Sequence, residues 1–152
     1  MSKTYGQDCV IAKSLDIFGE RWTMLIIRDL FLGKKTYTDF QVSLKGISPN
    51  LLVERLKDLE VSGIINRKIE ANSRPPKVEY SLTAKGRGLG KVLSSIVEWG
   101  AKNLSGSNHS VGLFHKNCGG QIDLGYHCEA CERNVMMSEL TITRSIGADK
   151  LL

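Results

Sequence analysis

Between Ser48 and Leu82 the spacing of apolar residues switches from a helical period to an alternating one, and this switch constrains the fold more than any other feature. Leu52, Leu56 and Leu59 recur at i, i+4 and i+7, which predicts an amphipathic helix over residues 48–61. Ser48 is a good N-cap, and Pro49 takes the first helical position, where its missing N–H costs nothing. Gly63 stops the helix. Residues 64–69 then read as a strand. Val78, Tyr80 and Leu82 alternate with Lys77, Glu79 and Ser81, as a half-buried second strand does. The intervening 70–76 segment ends in Pro75-Pro76, which lack the donors a ladder needs, so the hairpin carries a projecting loop.

Upstream, three more helices are expected. Asp8 is a candidate cap for residues 9–18, with Gly19 as the stop. Residues 22–32 are apolar nearly all round (Trp22, Leu25, Ile26, Ile27, Leu30, Phe31), which predicts a buried helix. After Gly33-Lys34-Lys35, Thr36 or Thr38 opens a short helix through Asp39, Phe40 and Leu44. Downstream, Thr83 caps a long last helix bearing Leu89, Val92, Leu93, Ile96, Val97 and Trp99. Four helices, a hairpin and a helix make an α+β fold of the winged helix-turn-helix kind, mostly helical with a β-hairpin wing.

That arrangement points to double-stranded DNA as the partner. A helix fits the major groove, but a single helix does not hold its register against the backbone without support. The 37–44 and 48–61 helices form the helix-turn-helix, with the hairpin as a second arm. With the leucines facing inward, Asn50, Glu54 and Lys57 project outward, Ser48 lies at the positive N-terminal end and Arg55 on the flank. Asn50 suits bidentate pairing with adenine, and Arg55 suits guanine or phosphate. The wing holds Arg67, Lys68, Arg74 and Lys77 against the single acid Glu70. The candidate DNA-binding set is therefore Lys35, Thr36, Ser48, Asn50, Arg55, Lys57, Arg74 and Lys77. The competing reading is a zinc-bearing winged-helix adaptor whose solvated faces contact protein instead.

A formal net charge of +5 in 152 residues permits a polyanionic partner without establishing one. Neither a secretory leader nor an apolar run of the roughly 18 residues needed to span a bilayer is visible, so a cytoplasmic location is expected. No P-loop, H-E-x-x-H or plausible nucleophile–base pair argues for an enzyme.

Several blocks also resemble the HxlR-type transcriptional regulators, a MarR-like family. They are Cys9 with residues 18–30 (FGERWTMLIIRDL), residues 46–56 (GISPNLLVERL), residues 74–80 (RPPKVEY) and residues 83–87 (TAKGR). The blocks occur in the family's order and cover about residues 9–103. The resemblance implies a bacterial or archaeal regulator that forms a homodimer through its terminal helices and binds palindromic operators. It also implies a candidate redox sensor at Cys9, where a helix dipole can depress a thiol pKa; a small buried hydrophobe is the alternative. A small-molecule or oxidant effector would fit such a regulator. Gly86, Gly88 and Gly90 depart from the pattern, each costing about 1 kcal/mol relative to alanine within a helix.

Residues 1–103 thus form the DNA-binding and dimerisation domain, residues 104–113 a small, polar linker, and residues 114–152 a zinc-ribbon-like extension and tail. In the extension His115, Cys118, Cys128 and Cys131 make an H-x2-C…C-x2-C pattern. Each x2 spacing folds two ligands into one knuckle, and a reducing compartment favours metal over disulfide, so structural zinc is expected. His127 is an alternative fourth ligand. A Cys128/Cys131 redox pair, uncoordinated thiols and a His115 that is only a surface residue are the competing readings.

Overall fold

The structure, a computed structural model, describes residues 4–70, 76–104 and 112–141. The chain falls into two compact units, Met1–Ile96 and Val97–Leu152. In the first, α1 (Val10–Phe18), α2 (Thr23–Phe31), α3 (Tyr37–Ser43) and α4 (Pro49–Val61) precede strands β1 (Ile65–Glu70) and β2 (Lys77–Leu82). Helices α5 (Ala84–Gly88) and α6 (Gly90–Asn103) follow, and α6 runs on into the second unit. That unit continues with β3 (Tyr126–Cys128), β4 (Arg133–Val135) and a 3-10 turn at Met137–Glu139. This is the α+β winged-helix arrangement expected from the sequence.

The core of the first unit is built from Ile26, Ile27 and Leu30 of α2, Phe40 of α3, Leu44, Leu52, Leu56 and Leu59 of α4, and Ile64 and Ile65 where the hairpin begins. Leu52, Leu56 and Leu59 are at most 3% exposed, so the expected stripe is the buried one. Burying each such side chain stabilises by about 1.5–3 kcal/mol. Helix α2 is not buried all round: Leu25, Phe31 and the C-cap Leu32 remain exposed, because only one side of the helix meets the core.

Helix ends follow local chemistry. The Ser48 Oγ accepts from the Leu51 N–H at 3.4 Å, and Pro49 opens α4 as expected. At the other end the Ile64 N–H donates to the Leu59 carbonyl at 2.9 Å across Gly63, whose φ of +67° permits the reversal. Asp8 does not cap α1. Cys9 occupies the N-cap without a side-chain bond, and Asp8 pairs with Lys13 instead. Trp22, the N-cap of α2, takes φ +78°, a left-handed conformation in a bulky residue, and Arg21 lies 5.1 Å above its ring.

The expected long last helix is interrupted at Leu89. Gly86 packs so tightly that a Cβ there would sit 2.2 Å from the Ile64 carbonyl oxygen, so the glycine serves close approach to the strand entry. Thr83 caps α5 by accepting from the Gly86 N–H at 3.0 Å, and its hydroxyl donates to the Gly63 carbonyl at 2.7 Å. The Leu89 N–H donates to the Gly86 carbonyl at 3.1 Å, a 3-10 bond that turns the chain into α6.

Candidate nucleic-acid interface

Three elements meet at one edge of the first unit. Thr36 opens α3 with a capping box: the Asp39 N–H donates to Thr36 Oγ1 at 3.2 Å, and the Thr36 N–H donates to Asp39 Oδ2 at 2.9 Å. The Lys35 N–H joins at 3.1 Å. These bonds, first from the Lys35 and Thr36 backbones and then from the Thr36 side chain, hold the Asp39 carboxyl below the usual range. The Tyr37 hydroxyl donates to the Pro49 carbonyl at 3.4 Å, tying the start of α3 to the start of α4.

The hairpin is fastened to the same place. Strands β1 and β2 pair antiparallel from Ile65↔Leu82 through Lys68↔Glu79 to Glu70↔Lys77. Beside them Thr36 forms a bridge with Glu79, and the Tyr80 N–H donates to the Lys35 carbonyl at 2.7 Å. Away from that anchor, the outer end of β1 has no buried side chain, and Ile69 is half exposed. The hairpin therefore projects. Lys77 pairs with Glu79 at 2.8 Å, which raises the Lys77 pKa and lowers that of Glu79; Lys35 and Lys68 also act on this one carboxylate. Three lysines thus act on Glu79, while Glu70 and Asp39 act on Lys77 in turn, so cations and acids interleave at the base of the wing.

On α4, Ser48, Asn50 and Lys57 are exposed as the leucine stripe requires, with Val53 and Glu54 beside them. The outward ridge therefore mixes one amide, one cation, one anion and an apolar contact. Lys35 and Lys77 are exposed and Thr36 is half-buried. The Ser48 hydroxyl oxygen accepts a bond within its cap, which leaves its O–H able to donate outward, whereas the Thr36 hydroxyl is engaged by the Asp39 carboxyl. Arg74 lies outside the described residues.

Arg55 departs from expectation. It is 8% exposed and faces inward, next to the leucine stripe. Its Nη1 donates to Asp58 at 3.0 Å and Glu54 at 3.3 Å, and its Nη2 to Glu20 at 3.2 Å. A guanidinium taken out of water has to be matched by carboxylates; these three engage its two Nη groups, while its buried Nε has no partner among the described residues, and Arg55 so rivets α4 to the turn after α1. The sequence reading also missed Asp29, a fully buried acid on α2 held by Arg28 at 2.7 Å and Lys34 at 3.2 Å. Lys34 bonds Ser43 as well, so the tether reaches the end of α3. An aspartate inside an apolar helix was the available signal.

Exposed apolar residues also occur on two helices taken separately. Val10 and Ile11 of α1 are exposed and, with Ser14, Leu15 and Phe18, line an open hollow of about 270 Å³. Along α6, Val92, Ile96 and Trp99 are exposed at helical spacing. Cys9, at the N-terminal end of α1, is half-buried and free.

In the second unit the His115 Nδ1 lies 3.1 Å from the Cys118 Sγ. Cys128 receives a hydrogen bond from the Cys131 side chain, then from the Cys131 and Ala130 backbones, which lowers its thiol pKa. His127 contacts Asn134 across the β3–β4 pair at 3.3 Å. The four predicted metal ligands therefore stand as two pairs. Among the described residues, no three of His, Cys, Asp or Glu are gathered closely enough to hold one ion.

The HxlR-like helix-turn-helix family model matches residues 17–108. YvaP of Bacillus subtilis, named an uncharacterized HTH-type transcriptional regulator, is 37% identical over 87 residues, covering 57% of this chain and 80% of its own length. Of solved structures, PA1607, described as a candidate transcription factor, superposes with a TM-score of 0.78 at 30% identity, covering 91% of this chain and 96% of that one. The redox regulator HypR, in its oxidized form, superposes with a TM-score of 0.59 at 35% identity, covering 62% and 97%. No helix of the described residues is long and apolar enough to cross a membrane.

Proposed function

The chain belongs to the HxlR-like helix-turn-helix family and is a transcriptional regulator of that type; from that premise we propose that it acts as a homodimer whose α4 helices enter successive major grooves of double-stranded DNA. The observation that carries this reading is the division of α4 into a buried leucine face and an exposed Ser48–Asn50–Lys57 ridge, with the lysine-bearing hairpin fastened alongside. The ridge supplies base-edge contacts, while Lys35, Lys68 and Lys77 supply phosphate contacts. The exposed apolar residues of α1 and α6 suit pairing with a second copy, since an unpaired monomer would leave them in water.

Selection of bound fragments from random DNA, followed by sedimentation of the complex, tests the reading. The expected outcome is an enriched inverted repeat holding two chains, with affinity that falls as salt rises. Failure to enrich any sequence, together with retention of a protein partner, would favour the adaptor.

The likeness to HypR favours a second element, redox control through Cys9. Diamide should change operator binding by the native chain and leave Cys9→Ser unchanged; an equal response in both would remove Cys9 from the account.

A further inference from the structure

The two cysteine-bearing turns of the second unit are copies of one another, offset by 13 positions. In the first, the Ile122 N–H donates to the Leu113 carbonyl at 2.7 Å and Phe114 pairs with Gln121. In the second, Tyr126 pairs with Val135 and His127 with Asn134. Each inner pair encloses six residues. Within each loop the first residue is a potential ligand (His115 or Cys128), the fourth is a cysteine (Cys118 or Cys131), and the fifth is left-handed. Gly119 has φ +68° and Glu132 has φ +50°. The ends of both loops also pair across, with the His115 N–H donating to the Gly120 carbonyl at 2.7 Å and Cys128 opposite Arg133.

A left-handed glutamate has no steric reason to be there. It is explained by the turn, which has to reverse directly after Cys131 so that the cysteine points back toward Cys128. In the first loop, the His115 ring nitrogen faces the Cys118 sulfur at 3.1 Å, a few tenths of an ångström short of the roughly 3.5 Å between N and S ligands of a tetrahedral zinc. None of the described residues from 112 to 141 is buried, so these turns lack an apolar core to hold them. A segment of this size needs another source of folding energy, and a closed metal site is one.

We propose that the two turns are half-sites of one tetrahedral zinc centre, in which His115, Cys118, Cys128 and Cys131 are the ligands. The metal draws the halves together. Each of the three thiols gives up its proton to solvent as its sulfur bonds to the ion, and the imidazole binds neutral, so one zinc releases three protons and leaves the centre with one net negative charge. The repeat also selects the histidine. His115 occupies the ligand position of its loop, whereas His127 occupies the strand position equivalent to Phe114 and is engaged by Asn134.

The test is metal analysis of the reduced full-length chain, followed by cobalt substitution and potentiometric counting of released protons. One zinc per chain, three protons per ion and the visible bands of a tetrahedral three-thiolate cobalt site are expected. Outer hydrogen-bond partners of metal ligands are worth about 10- to 100-fold in affinity, so His115→Ala or Cys131→Ser should lose more than that. His127→Ala should bind as tightly as the native chain. His115→Cys should keep the metal and shift the cobalt bands to a four-thiolate spectrum, which guards against simple misfolding of the alanine variant. No stoichiometric metal, one ion shared by two chains, or a His127→Ala loss equal to that of His115→Ala would each overturn the proposal.

Discussion

The backbone N–H of Tyr80 donates to the carbonyl oxygen of Lys35 at 2.7 Å, which makes the entry to the helix-turn-helix an edge partner of the wing. The Thr36↔Glu79 bridge lies beside it. A two-stranded hairpin alone is marginal in water, so this attachment fixes the direction in which the wing projects. It also sets Lys35 within the electrostatic reach of Glu79, along with Lys68 and Lys77.

Lys35 should therefore act on phosphate without regard to sequence. Lys35→Ala is expected to weaken binding to every DNA tested and to reduce the slope of log K against log salt by about 0.9. Fluorescence anisotropy over a salt series measures both.

Asn50 should behave differently. Asn50→Ala is expected to relax preference at one base position per half-site, with a loss of about 1–3 kcal/mol on the preferred sequence and little change on random DNA. Repeating the fragment selection with the variant would show it; an unchanged base profile would take Asn50 off the reading surface.

Arg55→Ala is a stability variant. It leaves Glu20 and Asp58 without their shared cation, but those carboxylates are 37% and 42% exposed and can be rehydrated. The expected loss is about 1–2 kcal/mol, below the cost of stranding a fully buried charge. Urea unfolding should report it, and DNA affinity per folded molecule should be unchanged.

The contrast between Asn50 and Arg55 marks what was legible in the sequence. Periodicity located α4, its cap and its leucine face, because those follow from local chemistry alone. It did not decide which side of the helix Arg55 joins, since that depends on Glu20, 35 residues away. The break at Leu89 was half legible: the glycines announced a weak helix, but only the Ile64 carbonyl explains why Gly86 is there. The metal ligands were legible as a spacing, whereas the repeat that relates them appears only when the backbone conformations of Gly119 and Glu132 are compared.

Gly86 and Gly88 should respond to alanine with opposite signs. Gly86→Ala drives a Cβ into the Ile64 carbonyl and should cost about 1–3 kcal/mol. Gly88 has open space around it, so Gly88→Ala should gain about 0.5–1 kcal/mol through helix propensity. Thermal unfolding of the two variants side by side checks the pair.

Asp29 predicts an acid limb. Burial acts to raise its pKa, but hydrogen bonds from Ser43, Arg28 and Lys34 outweigh it, and the net shift is downward from 3.8. A lowered carboxyl pKa contributes stability that is complete above the unfolded value and disappears as pH falls through the folded one. Asp29→Asn should therefore be less stable than the native chain at neutral pH, by about 1–3 kcal/mol. The difference should narrow below pH 3.8, which unfolding at a series of acidic pH values would reveal.

The Arg55–Glu20 rivet has a mechanical consequence for the proposed pair. It couples α4 to the turn that ends α1, and α1 carries the apolar surface offered to a second copy. With that joint stiff, the span between the two α4 helices becomes a fixed gauge. An operator whose halves are moved apart by a few base pairs would be rejected even with every base intact, and an effector that tilts α1 by a small angle would swing both tips out of step with the helical repeat of the duplex.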